Sequence, residues 1–205
     1  MRRFVFFALL LLFALPAQLL SGATSVRALG SALAPRDIYA SLLAAPFADN
    51  EFPNGFSGAK VSQGTLDPMT AMYNAIGQVN VDLSGPDAGD AIGYVIFADA
   101  AGARADFAAP PVVPANTQIT DMFSLGGFAF PVLVYTAAVS DASGTPVGGL
   151  SICGVLVDTA VVVGISAQPG NVASGSTDNA CLLAEAAVAH LQSINGTAPA
   201  PGGNS

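Results

Sequence analysis

The stretch SICGVLVDTAVVVGIS, residues 151–166, decides the fold. It holds two apolar, β-branched runs that meet at the polar pair Asp158-Thr159, the pattern of two strands folded back on each other in a hairpin. The loop QPGNVASGS follows, and then the segment ACLLAEAAVAHLQSI at residues 180–194 changes period. At about 100° per residue, Ala180, Leu183, Ala184, Ala187, Leu191 and Ile194 share one stripe while Asp178, Glu185 and Gln192 lie opposite. This predicts an amphipathic helix capped near Thr177 or Asp178 and stopped at Asn195-Gly196. A helix with one apolar stripe, entered from an apolar hairpin, buries that stripe on the hairpin.

The same plan extends toward the N-terminus. FPVLVYTAAV, residues 130–139, reads as a further strand, with DASGTPVGG after it as a turn region. AIGYVIF, residues 91–97, is apolar at every position but one, as expected of a central strand covered on both faces. Asp99 then caps a helix reading DAAGARADFAA, which Pro110 and Pro111 end. Before them, Val79, Val81 and Leu83 alternate with Gln78, Asn80 and Asp82, the period of a strand wet on one side. PRDIYASLLAAP begins with Pro35 at a first-turn position, sets Ile38 and Leu42 four apart and stops at Pro46, which makes a short helix. Strands in hairpin order with interspersed helices predict one α+β domain over residues 35–194, a largely antiparallel sheet packed with helices as a sandwich. Each half reads as strands followed by a helix.

The extreme N-terminus is of another kind. Arg2 and Arg3 precede an apolar run from Phe4 to Leu20, interrupted by Pro16 and Gln18, which reads as a secretory signal peptide over residues 1–23. Small residues at Ser21-Gly22-Ala23 and at Ala32-Leu33-Ala34 offer cleavage before Thr24 or Pro35; the first is preferred and leaves residues 24–34 as a flexible lead. LLSGA carries Ala23 where a lipid-bearing cysteine would stand, so no lipid anchor is expected. The tail NGTAPAPGGNS, residues 195–205, has no charge and nothing to pack. Of 205 residues, 52% are apolar and 10% charged, the net charge is −8, and there is one His and no Trp. After removal of residues 1–23 only Arg27, Arg36, Lys60 and Arg104 face fourteen acids, a net of −10. Nucleic acid is excluded as a partner, since no basic surface exists to displace counterions. No cofactor motif is present. Beyond the signal peptide no membrane contact is expected.

Cys153 and Cys181 are the two cysteines. An even count in an exported chain predicts a disulfide, and it would staple the last helix to the hairpin beneath it. The only histidine, His190, stands beside the apolar stripe, about 140° around the helix from Glu185, and reads as a boundary residue with a partly covered ring. No GxSxG elbow occurs. Ser57 and Lys60 match S-x-x-K, in which a lysine one helical turn away helps to deprotonate a serine nucleophile, but GFSGAKVSQG reads as a loop entering a strand. Asp82, Asp87 and Asp90 flank one turn; three carboxylates there could hold Ca²⁺ weakly, and a solvated acidic turn is the better reading. Tyr39, Phe47, Phe56, Tyr94, Phe97, Phe107, Phe123, Phe128, Phe130 and Tyr135 stand among many Ala and Val. Most must be core. So many small residues also leave room for a pocket between helix and sheet with aromatic walls.

Over about 45 residues, SICGVLVDTAVVVGISAQ followed by NACLLAEAAVAHLQSI resembles the end of the extracytoplasmic sensor domain of PknH-type mycobacterial kinases. In that family a Cys-bearing strand, a hairpin and an alanine-rich helix close an antiparallel sheet. Here the chain departs from the pattern, for a second cysteine would be expected near Ala167 and Cys181 lies in the helix instead. The order of elements is also similar to the α/β/α sandwich of Mog1/PsbP-like exported proteins. Both resemblances imply a role outside the cytoplasm without catalysis, and neither brings a catalytic residue. The sequence therefore reads as a secreted bacterial binding or sensor-like domain for a small apolar molecule or an envelope component. The alternatives are a secreted serine hydrolase using Ser57 and Lys60, or a structural module that docks on another envelope protein.

Overall fold

A computed structural model describes residues 33–45, 47–86, 89–170 and 175–196. The expected signal peptide, nearly all of the lead, most of the tail and Asp87 lie outside the described residues. In chain order the elements are α1 (Pro35–Ala44), a 3₁₀ turn (Asp49–Glu51), β1 (Ser57–Gly64), α2 (Pro68–Met72), β2 (Ala75–Ser84), β3 (Ala91–Phe97) and α3 (Ala100–Ala108), followed by β4 (Thr117–Leu125), β5 (Val132–Ser140), β6 (Pro146–Val157), β7 (Ala160–Pro169) and α4 (Thr177–Ile194).

The strands form one sheet in the order β1-β2-β3-β7-β6-β5-β4, with every neighbouring pair antiparallel. It consists of two meanders, β1 to β3 and β4 to β7, joined where β3 pairs with β7, and each meander ends in a helix. The hairpin at Asp158-Thr159 is the turn between β6 and β7, where Asp158 takes a positive φ of 48°. Helices α1 and α4 cover one face of the sheet; α2 and α3 cover part of the other. β3 shows why it is apolar throughout. Its Ile92, Tyr94 and Ile96 enter the core under α1 and α4, while Phe97 and Val95 join the cluster under α3.

The α4 face is closed by close approach. A Cβ on Gly164 of β7 would overlap the Ala180 carbonyl, so glycine at this point lets α4 lie directly on the sheet. Cys153 is the cross-strand partner of Gly164, and that contact brings Cys181 within reach: the two cysteines are disulfide-bonded, with Cα atoms 5.0 Å apart. Ahead of the helix, the paired and fully buried Ser151 and Ser166 hold the chain. The Ser151 hydroxyl donates to the Gly175 carbonyl (2.9 Å) and the Ser176 N–H donates to Ser166 Oγ (3.1 Å). Ser176, one residue earlier than expected, is the cap, accepting from the Asn179 N–H (3.2 Å). Of the expected stripe, Ala180, Leu183, Ala184, Ala187 and Leu191 are buried, with Val188 and His190 added.

Two elements go beyond the sequence reading. β4 is an edge strand with mostly exposed residues, and α2 is one short turn of helix opened by Asp67 and Pro68. The turn region at DASGTPVGG is also shorter than expected, because β6 begins at Pro146. Asp141 organises what remains of it, accepting from Ser143 Oγ and from the N–H groups of Ser143 and Thr145. The acidic turn is corrected in part: Asp82 is exposed, but Asp90 is only 3% exposed at the entrance to β3 and is not solvated.

Candidate functional site

The site arises where the second face runs out of cover. Helix α3 spans nine residues; Asp99 starts it by accepting from the Gly102 N–H (2.8 Å), and the chain leaves it toward Pro110-Pro111. A Cβ at Gly102 would strike the Tyr73 carbonyl, so this glycine seats α3 against the end of α2. So short a helix cannot span seven strands. Between α2, α3 and the sheet is left a groove of about 360 Å³.

Its floor follows from the strand register. Leu133, Gly154 and Val163 stand side by side across β5, β6 and β7, and Val95 stands beside Val161 across β3 and β7. All five line the groove. Gly154 opens the floor: a Cβ there would meet Phe107 Cε2 at 3.7 Å and the Leu133 carbonyl at 3.6 Å, both ordinary van der Waals contacts. Phe107, Tyr135 and Tyr73 supply aromatic walls, and Met69 and Val112 stand exposed at the mouth.

Two ionisable groups converge on this apolar surface. Asp106 of α3 is pushed above the ordinary aspartate range, first by burial and then by the charge of Asp67, while a hydrogen bond from the Thr70 side chain offsets part of the rise. Tyr135 is pushed up to about 12, by burial first and by the Asp106 charge second. Asp67 serves structurally as well, its Oδ1 accepting the Met69 N–H (2.8 Å) as the cap of α2. A carboxyl and a phenol whose acidity is shifted by burial in an apolar cleft mark a candidate binding or reaction site. Here they can hydrogen-bond and attract charge; among the described residues no Ser, Cys, Lys or His lines the groove.

A second polar group sits on the closed face. His190 is 5% exposed, so its ring is buried rather than partly covered. Nδ1 is 2.9 Å from Glu51 Oε1, Nε2 faces the Ala45 carbonyl at 3.3 Å, and Phe47 stacks on the ring with centroids 4.0 Å apart. Burial raises Glu51, but the hydrogen bond from His190, the Ala48 N–H and the charge of the His190 ring together outweigh it and hold the carboxyl low. This cluster ties Ala45, Phe47 and Glu51 to α4. Tyr94 is likewise structural, its hydroxyl donating to the Ala187 carbonyl (3.1 Å) and its acidity suppressed first by burial and then by the Glu51 charge.

The other expected site residues are dispersed. Ser57 and Lys60 lie exposed on the edge strand β1, opposite Ser84 and Asp82, with an irregularity in the ladder between them. A strand, not a helical turn, separates them. Asp87 is outside the described residues, and among those described no three metal-capable side chains gather. Also among the described residues, no helix is long and apolar enough to cross a membrane. Of the aromatic residues singled out, Phe107 and Tyr135 line the groove. Phe128 and Phe130 line a smaller hollow of about 270 Å³ beside the disulfide, and Tyr39, Phe47, Phe56, Tyr94 and Phe97 pack in the cores. Asp106, Thr70 and Tyr73 went unread because only the folding of α2 against α3 brings them together.

Neither a protein-family model nor a curated protein matches the chain. Among solved structures, the extracellular domain of PknH from Mycobacterium tuberculosis is similar, with 15% identity and a TM-score of 0.43, over 73% of this chain and 98% of that one. The likeness is weak. It agrees with the resemblance read from the C-terminal residues and places no residue of the groove.

Proposed function

We propose that the chain is an exported, non-catalytic binding domain whose small, largely apolar ligand occupies the α3 groove. The observation that carries this reading is the cleft itself, an apolar floor across β3, β7, β6 and β5 onto which Asp106 and Tyr135 converge. Export is supported by the basic and apolar N-terminal pattern together with the disulfide, which persists in oxidising compartments. Absence of catalysis is supported by the separation of Ser57 and Lys60 from the groove and by the engagement of His190 in packing.

The test is titration with Nile red, a neutral apolar dye, against the protein and against Gly154→Val. The added side chain fills the floor next to Phe107, so a one-to-one fluorescence gain in the native protein should disappear in the variant while the circular dichroism spectrum stays unchanged. Equal dye binding by both proteins, or none by either, would remove the groove as the ligand site.

A docking role is favoured by one feature, the exposed β4 edge with Met122 and Phe123 54% and 37% exposed. Strand edges pair with extended partners. Association growing with concentration in sedimentation, and abolished by Phe123→Lys, would favour that reading.

A further inference from the structure

The proposed groove leaves open what kind of head group its ligand carries. Two carboxylates, Asp67 and Asp106, line it; among the described residues no Lys, Arg or His does. From this charge complementarity we infer that the groove selects apolar molecules bearing a cationic amine, with the ammonium held beside Asp106 and the alkyl or ring portion on the floor around Gly154 and Leu133. The inference rests on the groove being the ligand site and goes further in naming the chemistry of the ligand.

Four features support it. Asp106 pays for its position in an apolar cleft, and Asp67 makes that worse, so an incoming positive charge relieves an electrostatic penalty already present in the empty groove. The same two charges disfavour a carboxylate or phosphate head group, which would add a third negative charge beside them. Tyr73, Phe107 and Tyr135 line the same groove, and aromatic ring faces attract ammonium groups once these leave water. The exposed Met69 at the mouth is a flexible apolar surface suited to alkyl chains of varied shape.

The experiment compares probes that differ only in the head group: decylamine, 1-decanol and decanoate, each displacing Nile red at neutral pH and below its aggregation threshold. Decylamine should bind about tenfold tighter than decanol, the scale of one partly desolvated charge pair, and decanoate weakest of all. In Asp106→Asn the preference for amine over alcohol should fall toward unity while decanol affinity is retained. Asp82→Asn, at an exposed carboxylate outside the groove, should keep the full preference and so separates a local effect from the general negative charge of the chain. Decanoate binding as tightly as decylamine, or an amine preference unchanged in Asp106→Asn, would overturn the inference and leave the groove as a binding site. Failure of Nile red and all three probes to bind would overturn both.

Discussion

The two faces of the sheet are built from the same strands and finished in opposite ways. Under α1 and α4 the side chains of Tyr94, Val134, Val162, Leu183 and Ala187 are fully buried, a disulfide crosses the layer, and the buried His190 ring is hydrogen-bonded to Glu51. Under α2 and α3 the buried cluster is small, consisting of Phe97, Ala103 and Val161, and beyond it Leu133, Val163 and Tyr135 are only half covered. The difference is one of helix length. An 18-residue helix with an alanine stripe can lie along β6 and β7, whereas a nine-residue helix ended before Pro110 cannot. The first face is sealed along most of α4, and the second keeps the larger groove that we propose binds the ligand.

This contrast can be broken by mutation, and the disulfide gives the largest expected effect. Closing a loop of 28 residues is worth about 3.5 kcal/mol on the chain-entropy account. Cys153→Ser with Cys181→Ser should lower the denaturation midpoint accordingly. Hydrogen exchange should then rise over residues 150–195 before it rises in β3, because α4 docks through small side chains that bury little area. Uniform loss of protection would mean that the two faces are not independent in this way.

Paired truncations come next. Leu183→Ala, at a fully buried position against the sheet, should cost about 3 kcal/mol, while Leu133→Ala in the groove floor should cost about 1 kcal/mol and weaken Nile red binding instead. Chemical denaturation of both variants checks the ratio.

The titrating groups of the two faces should respond to pH with opposite sign. Glu51 is held below its usual value, so the stability it contributes is present above the ordinary glutamate range and is lost as the pH falls through that depressed value. Glu51→Gln should remove that dependence at a cost of about 1 kcal/mol or less at neutral pH. Asp106 is held above its usual value, so the folded protein binds that proton more tightly and stability declines as the pH rises from 3.8 through the raised value. Asp106→Asn should therefore be as stable as the native protein or slightly more so at pH 7. Melting curves between pH 3 and pH 8 would show it as the smallest of these effects.

The sequence disclosed the closed face far better than the open one, for physical reasons. β3, β6, β7 and α4 carry their periodicity in long uninterrupted runs because each is buried along its length. In β4 the run TQITDMFSL is wet on its outer edge and its alternation shifts between Ile119 and Asp121, so no single period fits it. The signals of α2, an Asp cap and a following Pro, were present at Asp67 and Pro68, but five residues are too few to show an apolar stripe. Phe107 and Tyr135 stand among ten aromatic residues that read mostly as core, and their bulk alone does not separate them as pocket walls. Asp106 could not be read as a site residue, since its burial depends on Thr70 and Asp67 arriving from another element. The Glu51–His190 pair joins positions 139 apart and leaves no local trace.

Heteronuclear NMR during a decylamine titration separates binding in the α3 groove from binding on the other face. With the ligand in the groove, amide and methyl shifts should concentrate at Val95, Asp106, Phe107, Leu133, Tyr135 and Gly154, with those of Leu183, Ala187 and Val188 unmoved. Shifts centred on Val188, Phe128 and Phe130 beside the disulfide, or spread evenly over both faces, would contradict binding in the groove.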